Sequence, residues 1–228
     1  MNVFSINGSP RMESGNTAPL LNAFVDGMKG AGANVELFYA KKLNIKPCTG
    51  EFSCWGDTPA KCHIQDDMQA LIKKLEKADI WVLGIPVYVP MPGEMQNFLN
   101  RLMPIFESKV VLKGGNMYPH KRSEVRLKSM VLVSTSSFWQ MENFDDITGI
   151  IKRVSKIMGS NFFSILRPQA DLFKSRLKTN ADCRDILSAT RDAGKQMILK
   201  GKISKKTMDR ISKPLVPMKT FLEDFEIV

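Results

Sequence analysis

Short apolar blocks recur along this chain, and stretches with apolar positions three and four apart lie between them. Val3–Ile6, Ile80–Ile85, Met130–Ser134 and Phe162–Arg167 read as strands. The near-continuous apolar run of Ile80–Ile85 is that of a central parallel strand, covered on both faces. Asn34–Phe38 alternates and reads as a further strand. Thr17–Gly30 has helical spacing, with Leu20, Leu21, Phe24, Val25 and Met28 on one face and Gly30-Ala31-Gly32 as its stop. Asp66-Asp67 opens a helix running to about Lys77, with acids at its start and lysines at its end, as the helix dipole favours. Further helices are expected over Glu94–Leu102, Asp145–Met158 and Asp182–Leu199. Lys46–Cys62 reads as an irregular loop and Val110–Arg126 as a connecting segment.

Strands alternating with helices, without an internal repeat, predict an α/β fold: a doubly wound parallel sheet with helices on both faces. The flavodoxin-like five-stranded order is the natural candidate. Residues 1–200 would form that domain. Residues 201–228, a short helix and the Lys213-Pro214-Leu215-Val216-Pro217 tail, would extend it, packed on the same domain or on a dimer partner. The 43% hydrophobic and 25% charged content of the 228 residues is ordinary for such a domain. No apolar run is long enough to cross a bilayer, and Met1-Asn2-Val3-Phe4 lacks the basic start of a signal peptide, so no membrane partner and a cytoplasmic location are expected.

The charge is uneven. The first 108 residues hold 10 Lys+Arg and 11 Asp+Glu, whereas the rest hold 23 and 12 and account for the net charge of +10. A basic second half, with Lys202, Lys205, Lys206 and Arg210, draws in anions such as a pyridine nucleotide, or is a solvated face around late helices. Nucleic acid is disfavoured as a partner, because no zinc-finger, basic-zipper or RNA-platform signature accompanies the charge.

The candidate chemistry lies in the loops after the strands. Ser9-x-Arg11-x-x-Ser14-x-Asn16-Thr17 stands between the first strand and the first helix. Free N–H groups at a helix start, hydroxyls and a guanidinium suit a phosphomonoester. The GxGxxG fingerprint and the P-loop ending are both missing. The alternative is an ordinary capped turn, with Ser14 or Asn16 as the N-cap. Pro86-Val87-Tyr88-Val89-Pro90-Met91-Pro92-Gly93 is a stiff apolar loop suited to a flat heterocycle, or simply a cover for the core. Ser134-Thr135-Ser136-Ser137-Phe138-Trp139 supplies small donors and aromatics for a third wall, with core or interface packing as the other reading of Phe138 and Trp139. Together the three describe a pocket for flavin mononucleotide.

These segments resemble the flavodoxin-fold NAD(P)H-dependent FMN reductases, and most closely their iron–sulfur flavoprotein branch. The matching pieces are Gly8-Ser9-Pro10-Arg11, Gly15-Asn16-Thr17, Asp66-Asp67-Met68, Pro86-Val87-Tyr88, Met91-Pro92-Gly93, Asn100-Arg101, Gly194-Lys195 and Gly201-Lys202-Ile203-Ser204. The resemblance implies FMN as cofactor, its phosphate at Ser9, Arg11, Ser14, Asn16 and Thr17. It implies the ring against Pro86, Val87, Tyr88, Val89, Met91 and Gly93, with the backbone of Val87 and Tyr88 beside it, and against Ser134, Thr135, Ser136 and Phe138. It also implies a homodimer or a dimer of dimers.

That branch is expected to gather four cysteines before the Asp66-Asp67-Met68 helix. Here Cys48, Cys54 and Cys62 fall at fitting places, but Glu51 stands where the second would be. A carboxylate is a poor ligand for soft iron, so no stable iron–sulfur cluster is expected. Zinc on the three thiols and His63 is a weaker alternative, and small apolar loop residues near the flavin the plainest. The four cysteines, Cys183 included, read as reduced thiols. The activity implied is hydride transfer from NAD(P)H to the flavin and on to a quinone, free flavin or another small-molecule electron acceptor. A flavodoxin-like electron carrier is the rival.

Overall fold

The computed structural model describes residues 1–223. Five parallel strands form one sheet: β1 (Asn2–Asn7), β2 (Asn34–Tyr39), β3 (Ile80–Pro86), β6 (Ser129–Thr135) and β7 (Asn161–Arg167), in the spatial order β2-β1-β3-β6-β7. β3 and β6 are flanked by strands and covered on both faces, which is why their sequences are apolar almost throughout. Phe4, Trp81, Leu83, Met130 and Leu132 point to one face, under α2 (Met68–Lys77), α3 (Gly93–Asn100) and α4 (Asp145–Met158). Val3, Ile80, Val82, Val131 and Ile165 point to the other, under α1 (Thr17–Gly30) and α6 (Ala181–Lys200).

Every expected strand and long helix is present within a few residues, except that α3 ends at Asn100 and gives way to a 3₁₀ turn at Met103–Ile105. The connecting segment is a correction. It contains an antiparallel hairpin, β4 (Phe106–Lys113) and β5 (Asn116–Lys121), joined by Gly114-Gly115, both at positive φ. Two such residues form the turn that matches strand twist. The hairpin lies on α4, where Arg153 and Lys156 cover the Tyr118 ring at 5.0 and 5.6 Å.

A short helix α5 (Ala170–Ser175) follows β7, and α7 (Lys205–Ser212) and α8 (Met218–Leu222) complete the described chain. The extension is described to residue 223; its last five residues lie outside the described ones. What is described packs on the same chain. Ile203 and Ile211 are buried beneath α1 and α6. The buried Arg167 guanidinium donates to Ile211 O (2.7 Å) and Lys213 O (2.8 Å), and Gln169 Oε1 accepts from Leu215 N (2.7 Å).

Candidate functional site

The order places β1 and β3 side by side, with their following connections running to opposite faces. This is the switch point of a doubly wound sheet, and the loops after β1, β3 and β6 stand level at it.

The first loop is tightly built. Gly8 N–H donates to Gly84 O (2.7 Å), Asn7 Oδ1 accepts from Ser9 N–H (2.9 Å), and Met12–Ser14 forms a 3₁₀ turn. Gly15 is required by close approach, since a Cβ there would stand 2.3 Å from Ser9 Oγ. α1 starts without a side-chain cap, so the amides of its first turn have no intrahelical acceptor. Asn7 is 1% exposed, and its Nδ2 has no partner among the described residues. The exposed Arg11 guanidinium likewise makes no hydrogen bond or ion pair among them. An uncapped helix start, an orphaned buried amide and an unengaged guanidinium around one turn are the donor set of an anion site.

Several predicted donors are turned elsewhere. Neither Ser14 nor Asn16 caps the helix: Ser14 Oγ donates to Arg11 O (2.7 Å), and Asn16 Nδ2 to Asp171 Oδ1 (2.6 Å). Thr17 Oγ1 and Thr135 Oγ1 pair at 2.8 Å inside the protein, and Ser134 Oγ donates to Ile85 O (2.6 Å). These three hydroxyls tie α1, β3 and β6 together beneath the site. Ser9 and Ser136 are buried too, accepting from Arg11 N–H (3.3 Å) and Phe138 N–H (3.3 Å).

In the second loop the two backbone groups expected beside a ring are spent: Val87 N–H goes to Thr135 O (2.9 Å) and Tyr88 N–H to Pro90 O (3.0 Å). The amides of Val89 and Met91 make no such bond among the described residues and are donors this loop still offers. Tyr88 is half exposed and Val89 94% exposed, whereas Met91 is buried under the loop and Gly93 opens α3. Phe138, exposed in the third loop, presents a second ring beyond the neighbouring strand. Exposed apolar side chains with spare backbone donors among them suit a planar heterocycle.

Sequence reading missed α5. Asp171 there accepts from Asn16, and Lys174 Nζ donates to Ser14 O. Burial pushes the Asp171 carboxyl up, but the nearby Ser137 and Asn16 and the charges of Arg11 and Lys174 outweigh it and hold the group below the usual carboxylate range. The one available signal was an acid in the first turn after Arg167-Pro168, and nothing in the order of residues ties it to Asn16.

The cysteine loop lies under α3. Cys48, Cys54 and Cys62 line one small cavity with Glu51, His63 and Arg101, and burial, then Cys62, Glu51 and Cys48, push the Cys54 thiol up. Glu51 is folded back on Ser53 N (2.9 Å), Ser53 Oγ (2.9 Å) and His63 Nδ1 (2.6 Å). Among the described residues no three His, Cys, Asp or Glu side chains are grouped to hold a metal ion. A separate cavity of about 460 Å³ lies at the other end of the sheet, lined by Asn2, Asn34, Lys73 and Lys77, and is not connected with the three loops.

Fold and loops together define a flavodoxin-like α/β protein with a donor-rich turn at its switch point. Residues 1–142 match the family described as NADPH-dependent FMN reductase, and the chain belongs to that family. It is 31% identical over 115 residues to an iron-sulfur flavoprotein of Archaeoglobus fulgidus, covering 50% of each chain. It is 32% identical over 106 residues to one of Methanocaldococcus jannaschii, covering 46% of this chain and 53% of that one. The chain thus spans about half the length of these curated relatives. Among solved structures, an FMN-dependent NADH-azoreductase from Bacillus anthracis in complex with FMN superposes with a TM-score of 0.63 at 10% identity, over 86% of this chain and 99% of that one. An NAD(P)H:quinone oxidoreductase from Methanothermobacter marburgensis gives 0.59 at 16%, over 86% and 96%. At such identities the likeness is one of fold.

Proposed function

We propose that the chain is an FMN-dependent oxidoreductase that takes hydride from NAD(P)H and passes electrons to a quinone, a flavin or another small acceptor. The observation that carries this reading is the set of unspent donors around the first loop, set level with exposed apolar side chains on the next two. When bound, FMN supplies the hydride acceptance and the one- or two-electron return.

The chain's part is to hold and orient. Arg11, the Asn7 amide and the first turn of α1 take the phosphate. Tyr88 and Phe138 give the ring its faces, while the Val89 and Met91 amides meet its polar edge. Membership of the family and the azoreductase and quinone reductase neighbours support the donor and the acceptor class. We further propose that it works without an iron–sulfur cluster, because Glu51 is engaged with Ser53 and His63 and three thiols are an incomplete set. We propose a homodimer acting in the cytoplasm, where the reduced nucleotide is at hand. Among the described residues no helix is long and apolar enough to cross a membrane.

An absorption spectrum and an iron assay on the purified chain, followed by NAD(P)H consumption with a quinone, test the reading. Flavin bands, iron well below one atom per chain and steady turnover are expected. Flavin bands without turnover would make the chain a carrier. Arg11→Ala should weaken FMN by about 1.5–3 kcal/mol, roughly ten- to 150-fold, through loss of a charge-assisted bond. Riboflavin, which shares the ring and lacks the phosphate, should bind both forms alike. Equal FMN affinity in parent and variant would remove Arg11 from the phosphate site.

A further inference from the structure

A donor beside the proposed phosphate site is already serving an anion. Asn16 Nδ2 is 2.6 Å from Asp171 Oδ1. Asn16 precedes α1 at the end of the first loop, and Ser136 stands in the third. Asp171 therefore ties α5 to the first loop, and Ala170 N–H to Ser136 O (3.0 Å) ties the same helix to the third. Lys174 is one turn further along α5 and reaches Ser14 O, so a cation of the same helix lies over the same loop. Arg11 is close enough to act on the Asp171 charge without being paired with it.

A carboxylate that collects an amide and the field of two cations has the surroundings of a bound phosphate. We infer that Asp171 is a resident anion competing with the cofactor's phosphate for Asn16 and the nearby cations, so that FMN is held as an exchangeable ligand. The inference rests on the phosphate-site reading above.

The charges make the consequence definite. Arg11 and Lys174 contribute two positive charges at the turn, which Asp171 and Glu13, the latter within the 3₁₀ turn, offset. An arriving phosphomonoester is close to dianionic at neutral pH. It must either displace the carboxylate from Asn16 or sit beside a like charge, and both reduce affinity. The Asp171 residue is exposed and α5 is a helix of six residues, so the carboxylate can turn to solvent without disturbing the buried sheet. On release of FMN it returns to Asn16 and keeps the two loops together. Asp171 is thus a specificity-determining residue: it sets how tightly the phosphate end is held, while the ring contacts are untouched.

The test is FMN and riboflavin binding, followed by flavin fluorescence, to the full chain and to Asp171→Asn and Asp171→Ala. Asparagine keeps the shape and the acceptor for Asn16 while removing the charge; alanine removes both. Each variant should bind FMN on the order of tenfold more tightly than the parent, chiefly through slower release, with riboflavin unchanged. If Asp171 merely positions Asn16, Asp171→Ala weakens FMN and Asp171→Asn leaves it unchanged, and the inference falls. FMN bound normally by the parent and no more tightly by either variant also overturns it, and leaves the proposed function standing. A parent that binds neither flavin overturns both.

Discussion

Gly27→Ala should destabilise the protein by about 2 kcal/mol, although the same change in an open helix stabilises by about 1 kcal/mol. A Cβ at Gly27 of α1 would stand 1.9 Å from Arg191 O, and one at Gly194 of α6 would stand 2.1 Å from Phe24 O. Both obstacles are backbone atoms, which cannot rotate aside, so the two helices must separate. Overpacking of this kind costs about 1–3 kcal/mol and sometimes more, and backbone contact puts it at the upper end before the propensity gain is subtracted. The effect reaches the site. α1 carries the first loop at its start, and Thr17 anchors that start to Thr135. FMN affinity should therefore fall together with the urea midpoint, the denaturant slope being unchanged. Gly194→Ala should behave alike, and the two losses should not add, because the residues share one crossing. A gain in stability from either change would mean that the helices do not pack this closely in solution.

How far the chain could be read in advance follows from what each segment buries. β3 and β6 were legible because covered strands leave unbroken apolar runs, and α1, α4 and α6 because each keeps one apolar face. The hairpin was not. Glu107, Lys109, Lys113, His120 and Lys121 interrupt its apolar positions, and Pro119 argues against a strand. Gly114-Gly115 between Leu112 and Met117 was the signal that outweighed these. At the site, sequence reading supplied the chemical types of the donors and not their directions. Thr17 and Ser134 carry hydroxyls that any phosphate loop could use, yet both face the core and join the elements beneath it. Val87 and Tyr88 lie in the loop after β3, where their amides close hydrogen bonds to Thr135 and Pro90. Asp171 was invisible because it meets Asn16 across 155 positions, a proximity made by the return of β7 to the same end of the sheet.

Asp66→Asn should cost about 3–5 kcal/mol, the range for breaking a buried ion pair from one side. Arg101 and Asp66 are 1% and 0% exposed at their side chains. They meet in a two-pronged contact, Nη1 to Oδ2 at 2.6 Å and Nη2 to Oδ1 at 3.0 Å, and Nη1 also donates to Lys46 O at 2.8 Å. The pair holds both ends of the cysteine loop, since Asp66 Oδ2 also accepts from Lys46 N–H and Asp66 Oδ1 from Met68 N–H. Asparagine leaves the guanidinium buried without a counter-charge, with Nε already unpartnered. A loss of that size is a large part of the roughly 5–15 kcal/mol by which domains are stable. Burial raises the Asp66 carboxyl, but Arg101 and the two backbone amides outweigh it and hold the group below its ordinary value. Its ionised form is therefore favoured by folding. The stabilisation is complete above the unfolded carboxyl range, near pH 4, and is lost as pH falls through the still lower folded value. The parent should thus lose stability on acidification below about pH 4 more steeply than Asp66→Asn, which has no carboxyl to protonate there. Asp66→Asn combined with Arg101→Met should recover much of the loss, because replacing both partners removes the stranded charge. Trp55, whose Nε1 donates to Met103 O at 2.8 Å, reports the same loop by fluorescence. A urea-unfolding free energy for Asp66→Asn within about 1 kcal/mol of the parent's would mean that the pair is solvated rather than buried.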